Sequence, residues 1–81
     1  MMTSAELLVV AELVVDEMLA EKTVAQLRDE AFALVIQVRR ADGSVVFDPP
    51  GTARLGRGDK VTLQATLDAY RSLRSRMERA A

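Results

Sequence analysis

The amino-acid sequence predicts a small α+β domain with a mainly antiparallel sheet of about four strands and two helices, in the order β-α-β-β-β-α. Three observations support this prediction. Apolar and polar residues alternate with a period of two in the middle of the chain, as in strands with one face in a core. Glycine-containing turns separate these segments, so hairpins are expected. Segments with helical character lie on either side, at residues 18–30 and 66–79.

The first apolar segment is residues 6–16, ELLVVAELVVD. As a helix, it would place Glu12 and Asp16 on one exposed stripe. As a strand, it would carry apolar residues on both faces, with Leu7, Val9, Ala11, Leu13 and Val15 on one and Leu8, Val10 and Val14 beside Glu12 on the other. Four β-branched valines favour the strand, because they lose χ1 freedom in a helix. Such a strand is expected inside the sheet or in a dimer contact.

The first helix is predicted from a capping pattern. Thr23 and Gln26 are three residues apart, so each side chain can satisfy a free amide of the other at a helix start. Apolar residues Val24, Leu27 and Ala31 then mark one buried face. In the last helix, Thr66 or Asp68 can cap the start, and a buried stripe is predicted at Tyr70, Leu73 and Met77.

Three strands are predicted between the helices. The first is residues 32–38, with an apolar core face at Phe32, Leu34, Ile36 and Val38. An Asp42-Gly43 turn leads into the second strand at residues 44–47, which Pro49 and Pro50 stop. A second glycine turn precedes the third strand, in which Val61, Leu63 and Ala65 alternate with polar residues.

Composition restricts the function. The chain has 81 residues, of which 49% are hydrophobic, and this apolar content predicts self-association. Residues 6–81 are predicted to form one domain after a frayed segment at 1–5. The chain has no Cys and no His, which removes the commonest catalytic base and metal ligands, and no catalytic constellation is found. We therefore expect no enzyme and no metal site. The net charge of −1 argues against nucleic-acid binding, and no apolar run is long enough for membrane insertion.

The order of motifs resembles the TrkA-C domain, the C-terminal subdomain of regulators of potassium conductance. That family shows L-x-G-K-T-L-x-E-L, an apolar strand ending in I-x-R, a glycine turn, a proline loop and L-x-x-G-D. The corresponding segments here are LAEKTVAQL at 19–27, IQVRRADG at 36–43 and PPGTARLGRGD at 49–59. The resemblance covers roughly residues 7–75. Glu21 stands where the family usually has glycine, and the segment between Val15 and Leu19 looks shortened.

The resemblance implies a dimeric, cytoplasmic domain at the inner face of the membrane, attached to a potassium channel, a potassium-uptake system or a related cation transporter. The nucleotide-binding half that usually precedes it has no counterpart here, so the chain resembles an excised domain or a stand-alone subunit. In some family members a small ligand such as cyclic di-AMP binds the dimer cleft. By position, such a ligand would meet Val35, Ile36, Arg39, Arg40 and Pro49, since a guanidinium can hold a phosphate with two hydrogen bonds.

Two functions therefore remain open at the level of sequence. The first is a regulatory domain that senses a ligand and biases a channel or transporter. The second is a structural dimerisation module without a ligand, suggested by the doubly apolar first strand and the altered loop at Glu21. Arg39 and Arg40 flank a hairpin turn, where exposed charges are also ordinary surface features.

Overall fold

The computed structural model describes residues 2–80, so Met1 of the predicted frayed segment and Ala81 of the predicted domain lie outside the described residues. It confirms the predicted β-α-β-β-β-α order. The elements are β1 (Leu8–Val14), α1 (Val24–Ala31), β2 (Leu34–Arg39), β3 (Val45–Phe47), β4 (Lys60–Thr66) and α2 (Leu67–Ala80).

The four strands form one antiparallel sheet in the order β1-β4-β2-β3. Both helices contact the sheet and each other, so they cover the same face. Between the sheet and the helices lies a core of fourteen buried apolar residues, namely Leu13, Val15, Leu19, Val24, Leu27, Ala31, Val35, Val38, Leu55, Val61, Leu63, Ala65, Leu73 and Met77. Within residues 2–80, no helix covers the opposite face of the sheet.

Both helices begin as the sequence predicts. Thr23 caps α1, where its hydroxyl accepts a hydrogen bond from the Gln26 backbone N–H at 3.2 Å and the Gln26 side chain accepts one from the Thr23 backbone. Thr66 caps α2, since its hydroxyl accepts from the Ala69 backbone N–H at 3.1 Å. These bonds satisfy amides that the first helical turn leaves without partners.

The core face predicted for residues 32–38, which contain most of β2, is wrong over part of its length. Val35 pairs with Leu63, but Gln37 pairs with the adjacent Thr62, so Ile36 is the extra residue of a bulge. A bulge shifts the alternation by one position, and Val35 and Val38 therefore both face the helices. Leu34, before the bulge, is exposed on the helix-free face.

Phe32 was also predicted in that core face, and it is 84% exposed. It lies before β2 rather than in it, and it ends α1 in a left-handed conformation with φ of 49°. Its backbone N–H donates to the Arg28 carbonyl, which closes the last helical turn. The alternation of apolar residues predicts that Phe32 begins the strand, but in the structure Phe32 still belongs to the end of α1.

The first segment is a strand, as the valines indicate, and it lies at an edge of the sheet rather than inside it. Its residues Leu8, Val10 and Val14 are all more than half exposed on the helix-free face. Of the two expected locations, the sheet interior is thus ruled out for the described chain.

Glu21 has φ of 71°, in the left-handed region where a side chain is disfavoured. Its backbone N–H donates to the Leu55 carbonyl at 2.9 Å, and its carbonyl accepts from the Arg54 guanidinium at 3.0 Å. Glu21, at the position where the resembled motif usually has glycine, therefore adopts a backbone conformation that favours glycine.

Candidate ligand site at the β2–β3 hairpin

The five residues predicted to meet a ligand lie on and around the β2–β3 hairpin. The turn is closed by the Arg40 N–H, which donates to the Ser44 carbonyl at 2.7 Å, and by Gly43 with φ of 92°. Asp42 accepts from the Ser44 backbone N–H at 2.9 Å and from its hydroxyl at 2.7 Å. These two bonds, the backbone one foremost, lower the pKa of Asp42 below its ordinary value of 3.8, and the Arg40 charge adds to the effect.

Arg40 is held by a buried carboxylate. Its guanidinium donates to Asp59 at 2.8 Å and to the Arg54 carbonyl at 2.7 Å. Asp59 is only 3% exposed, and it also accepts from the backbone N–H groups of Ala41 and Gly56. The L-x-x-G-D segment thus supplies a carboxylate that ties the β2–β3 turn to the loop before β4. A ligand would have to compete with these bonds for Arg40.

Val35 and Pro49 are both buried. Val35 faces the helices, on the opposite side of the sheet from any ligand on the helix-free face. The carbonyl of Pro49 accepts a hydrogen bond from the Arg28 guanidinium at 3.2 Å, which joins the proline loop to α1. Both residues therefore shape the framework of the hairpin.

Arg39 and the half-buried bulge residue Ile36 lie nearer the surface. Arg39 is exposed and pairs across the sheet with Val45 on one side and Lys60 on the other. Neither Arg39 nor Lys60 makes an ion pair within residues 2–80. The structure thus brings two positively charged side chains to neighbouring positions on the helix-free face.

Phe47 adds an apolar surface that the sequence reasoning missed. It is 71% exposed and pairs with Gln37, so it lies on the same face as Arg39 and Lys60. An exposed aromatic ring can stack on a planar group, and neighbouring cations can bind phosphate. The arrangement suits an anionic ligand with a flat apolar part. Side chains alternate along each strand, so the sequence limits Phe47 and Lys60 to one face or the other. Whether that face is the one that carries Arg39 is known only from the register of the strands.

An open groove of about 480 Å³ lies elsewhere, at the end of β1. Its lining residues include Val14, Met18 and the exposed ion pair between Glu17 and Arg57, and none of the five predicted residues. No helix within residues 2–80 combines the length and apolar character needed to cross a bilayer. The described part of the chain also brings together no cluster of acidic residues suited to a metal ion.

The model of the TrkA-C domain family matches residues 8–78. The chain belongs to this family. The match includes every strand and all but the last two residues of α2. The chain matches no curated protein.

Solved structures of similar fold include domains of three other proteins. The C domain of the potassium transport protein KtrA, solved with cyclic di-AMP, superposes with a TM-score of 0.74 at 17% identity, over 85% of this TrkA-C chain and 82% of that one. The RCK_C domain dimer of S. agalactiae BusR, also solved with cyclic di-AMP, gives 0.70 at 14% identity, over 82% and 91%. The GsuK RCK domain gives 0.73 at 20% identity, over 88% of this chain and only 16% of that chain.

Proposed function

We propose that this chain is a regulatory domain that senses a small ligand and dimerises, and that it acts on a potassium channel, a potassium-uptake system or a related cation transporter. The observation that carries the proposal is the TrkA-C family match over residues 8–78. In this proposal the domain works in the cytoplasm, at the inner face of the membrane through its parent protein. It has no catalytic role.

The proposed ligand is a phosphate-containing nucleotide, with cyclic di-AMP as the first candidate, because the KtrA and BusR domains of this fold were solved with it. Its phosphate would be held by Arg39 and Lys60, and its flat base would lie against Phe47 and Ile36. The buried residues Val35 and Pro49 would support this surface from inside the fold. Arg40 would hold the turn beside it through its bond to Asp59. Two hairpins, one from each copy, would enclose the ligand in a cleft.

Regulation requires the ligand to prefer one arrangement of the two copies. A ligand with equal affinity for both arrangements shifts neither population. In the proposed cleft, a ligand that touches both hairpins fixes their separation, and that separation is the quantity passed on to the transporter.

The test is thermal unfolding of the purified chain with cyclic di-AMP, other nucleotides and inorganic phosphate. A ligand that binds only the folded state at about 100 times its Kd adds about 2.7 kcal/mol, which raises Tm by at least about 10 °C in a domain of this size. Arg39→Ala should abolish the shift. Arg71→Ala, which removes the same charge from the exposed surface of α2, should retain it. Arg40→Ala is a poor probe, because it also breaks the bonds of Asp59.

The alternative function is a structural dimerisation module without a ligand. Two observations favour it: the guanidinium of Arg40 is occupied by Asp59, and β1 leaves an apolar edge uncovered. A stable dimer whose Tm responds to none of the tested compounds would support the alternative. A shift that Arg71→Ala removes as fully as Arg39→Ala would count against the proposed site, since it would indicate a non-specific charge effect.

A further inference from the structure

The sheet has two edges of very different character. The β3 edge is three residues long and ends at the Asp48-Pro49 segment. The β1 edge is seven residues long, pairs with β4 without a bulge, and contains no proline or lysine. Natural proteins usually protect an edge strand with a proline, a lysine or a bulge, because the free N–H and C=O groups of an edge can bind other strands. β1 has Glu12 as its one charged residue.

The hydrogen bonds at both ends of β1 show which backbone groups point outward. Leu7 accepts from the Leu67 N–H and Val15 donates to the Asp59 carbonyl, so odd-numbered residues bond to the β4 side. In an antiparallel pair these bonded positions alternate with positions whose groups point away. The even-numbered residues, Leu8, Val10, Glu12 and Val14, therefore direct their N–H and C=O groups to the open side.

We propose that a second copy of this chain docks on this edge, with its β1 antiparallel to the first around a two-fold axis at Ala11. In this register Leu8 faces Val14 of the second copy, and Val10 faces Glu12 of the second copy. All four outward residues of each strand are then paired, which gives eight backbone hydrogen bonds across the axis. The two sheets become one sheet of eight strands, with all four helices on one face.

Charge selects this register over its neighbours. Shifting the axis to Glu12 places the two glutamates directly opposite each other, and like charges in that position are destabilising. Shifting it to Val10 leaves Val14 without a partner from β1. Shifts of one position would put core-facing residues beside exposed ones, because side chains alternate along a strand. Only the axis at Ala11 pairs the whole strand and separates the glutamates.

This contact is independent of ligand sensing. The proposed ligand residues lie on β2 and around the β2–β3 hairpin, and Lys60 joins them from β4, whereas the proposed contact uses the outer edge of β1. Cleft formation at the hairpin and pairing at β1 use different surfaces, so one can fail without the other. A chain that uses both would assemble beyond two copies when ligand is present.

Two substitutions at one exposed position test the register. Val10→Glu places a negative charge opposite Glu12 of the second copy at two symmetric sites, whereas Val10→Lys places a positive charge there. At ordinary strengths for cross-strand pairs, the Kd of self-association should be at least about tenfold higher for Val10→Glu than for Val10→Lys. Added salt should narrow the difference. The measurement is sedimentation over a range of protein concentrations.

Leu34→Glu and Leu34→Lys are the matched controls, because Leu34 is exposed on the same face but lies in β2, away from the edge. Their Kd values should stay within about twofold of each other. The chain has no cysteine, so Ala11→Cys adds a second test: under oxidation it should link two copies, because the facing Cα atoms of this non-hydrogen-bonded pair lie about 4.5 Å apart.

A monomeric wild-type chain, or equal Kd values for Val10→Glu and Val10→Lys, would overturn the proposal. Stacking of two helix-free faces, for example, would be weakened by either charge at Val10 and at Leu34 alike. The change in Tm on adding ligand is measured separately on the same variants. A Val10→Glu chain that no longer pairs yet still responds to ligand supports both proposals, whereas a paired chain that responds to no ligand refutes sensing alone.

Discussion

Replacing Glu21 with glycine is expected to stabilise the protein. Glu21 has φ of 71°, and both hydrogen bonds that hold it use its backbone N–H and C=O. Its side chain is exposed and forms no ion pair with the rest of residues 2–80. The substitution therefore removes a disfavoured conformation and leaves the contacts of the loop intact.

The size of the effect follows from two opposing quantities. A left-handed backbone costs a residue with a side chain about 1–2 kcal/mol. Glycine gives back about 0.4–1 kcal/mol of this gain, because it increases the conformational freedom of the unfolded chain. The net stabilisation is about 0.5–1 kcal/mol, which corresponds to a rise in Tm of about 2–8 °C for a domain of this size.

The assay is urea and thermal unfolding of the wild type, Glu21→Gly and Glu21→Ala at one fixed protein concentration. Both variants lose the carboxylate, and only glycine relieves the backbone, so their difference isolates the conformational effect. Glu21→Gly should be the most stable of the three. If Glu21→Ala proved as stable as Glu21→Gly, the left-handed conformation would carry no cost at this position and the reasoning would be refuted.

Three further perturbations have clear expected outcomes. Asp59→Ala should lower the free energy of unfolding by about 3 kcal/mol in urea titrations, because Arg40 and two backbone amides lose their acceptor; a loss below about 1 kcal/mol would contradict this. Thr23→Ala should cost about 1 kcal/mol and Thr23→Ser much less, since serine keeps the cap. Ser44→Ala should raise the pKa of Asp42 part of the way to 3.8 in an NMR titration, because the backbone bond remains; an unchanged pKa would exclude the hydroxyl as a cause. As the folded-state pKa of Asp42 is lowered, its ionised form stabilises the fold above pH 3.8, and this contribution is lost as the pH falls through the folded-state value.

The order and type of the elements could be predicted from local signals. The capping pair at Thr23 and the glycine turn at Gly43 act within a few residues, and the structure contains both. The bulge at Ile36 could not be predicted in this way, because it depends on how β2 pairs with β4, whose facing residues at the bulge lie 25 to 28 positions later in the sequence. That one extra residue moved Val35 into the core and left Leu34 exposed.

The candidate site was predicted less completely for the same reason. The sequence indicates that arginines flank the turn, but not that a buried carboxylate at Asp59 binds one of them. It also does not show that Lys60 and Phe47 reach the same face as Arg39, since this follows from the register of three strands. The role of Arg39 as a ligand contact stays a prediction.

The strand order has a consequence for how the chain folds. Leu8 pairs with Thr66 and Val14 with Lys60, so β1 has to wait for partners that lie 46 to 58 residues later. During synthesis this interval lasts on the order of several seconds, and for that time both edges of an apolar strand are unpaired. Closing such a long loop is slow, so β1 is expected to join the sheet late. Leu13→Ala should then speed unfolding and leave the folding rate unchanged in stopped-flow measurements, whereas slower folding would place β1 in the nucleus. Until β4 is available, β1 can pair with a strand of another chain, so misassembly is expected to increase with protein concentration.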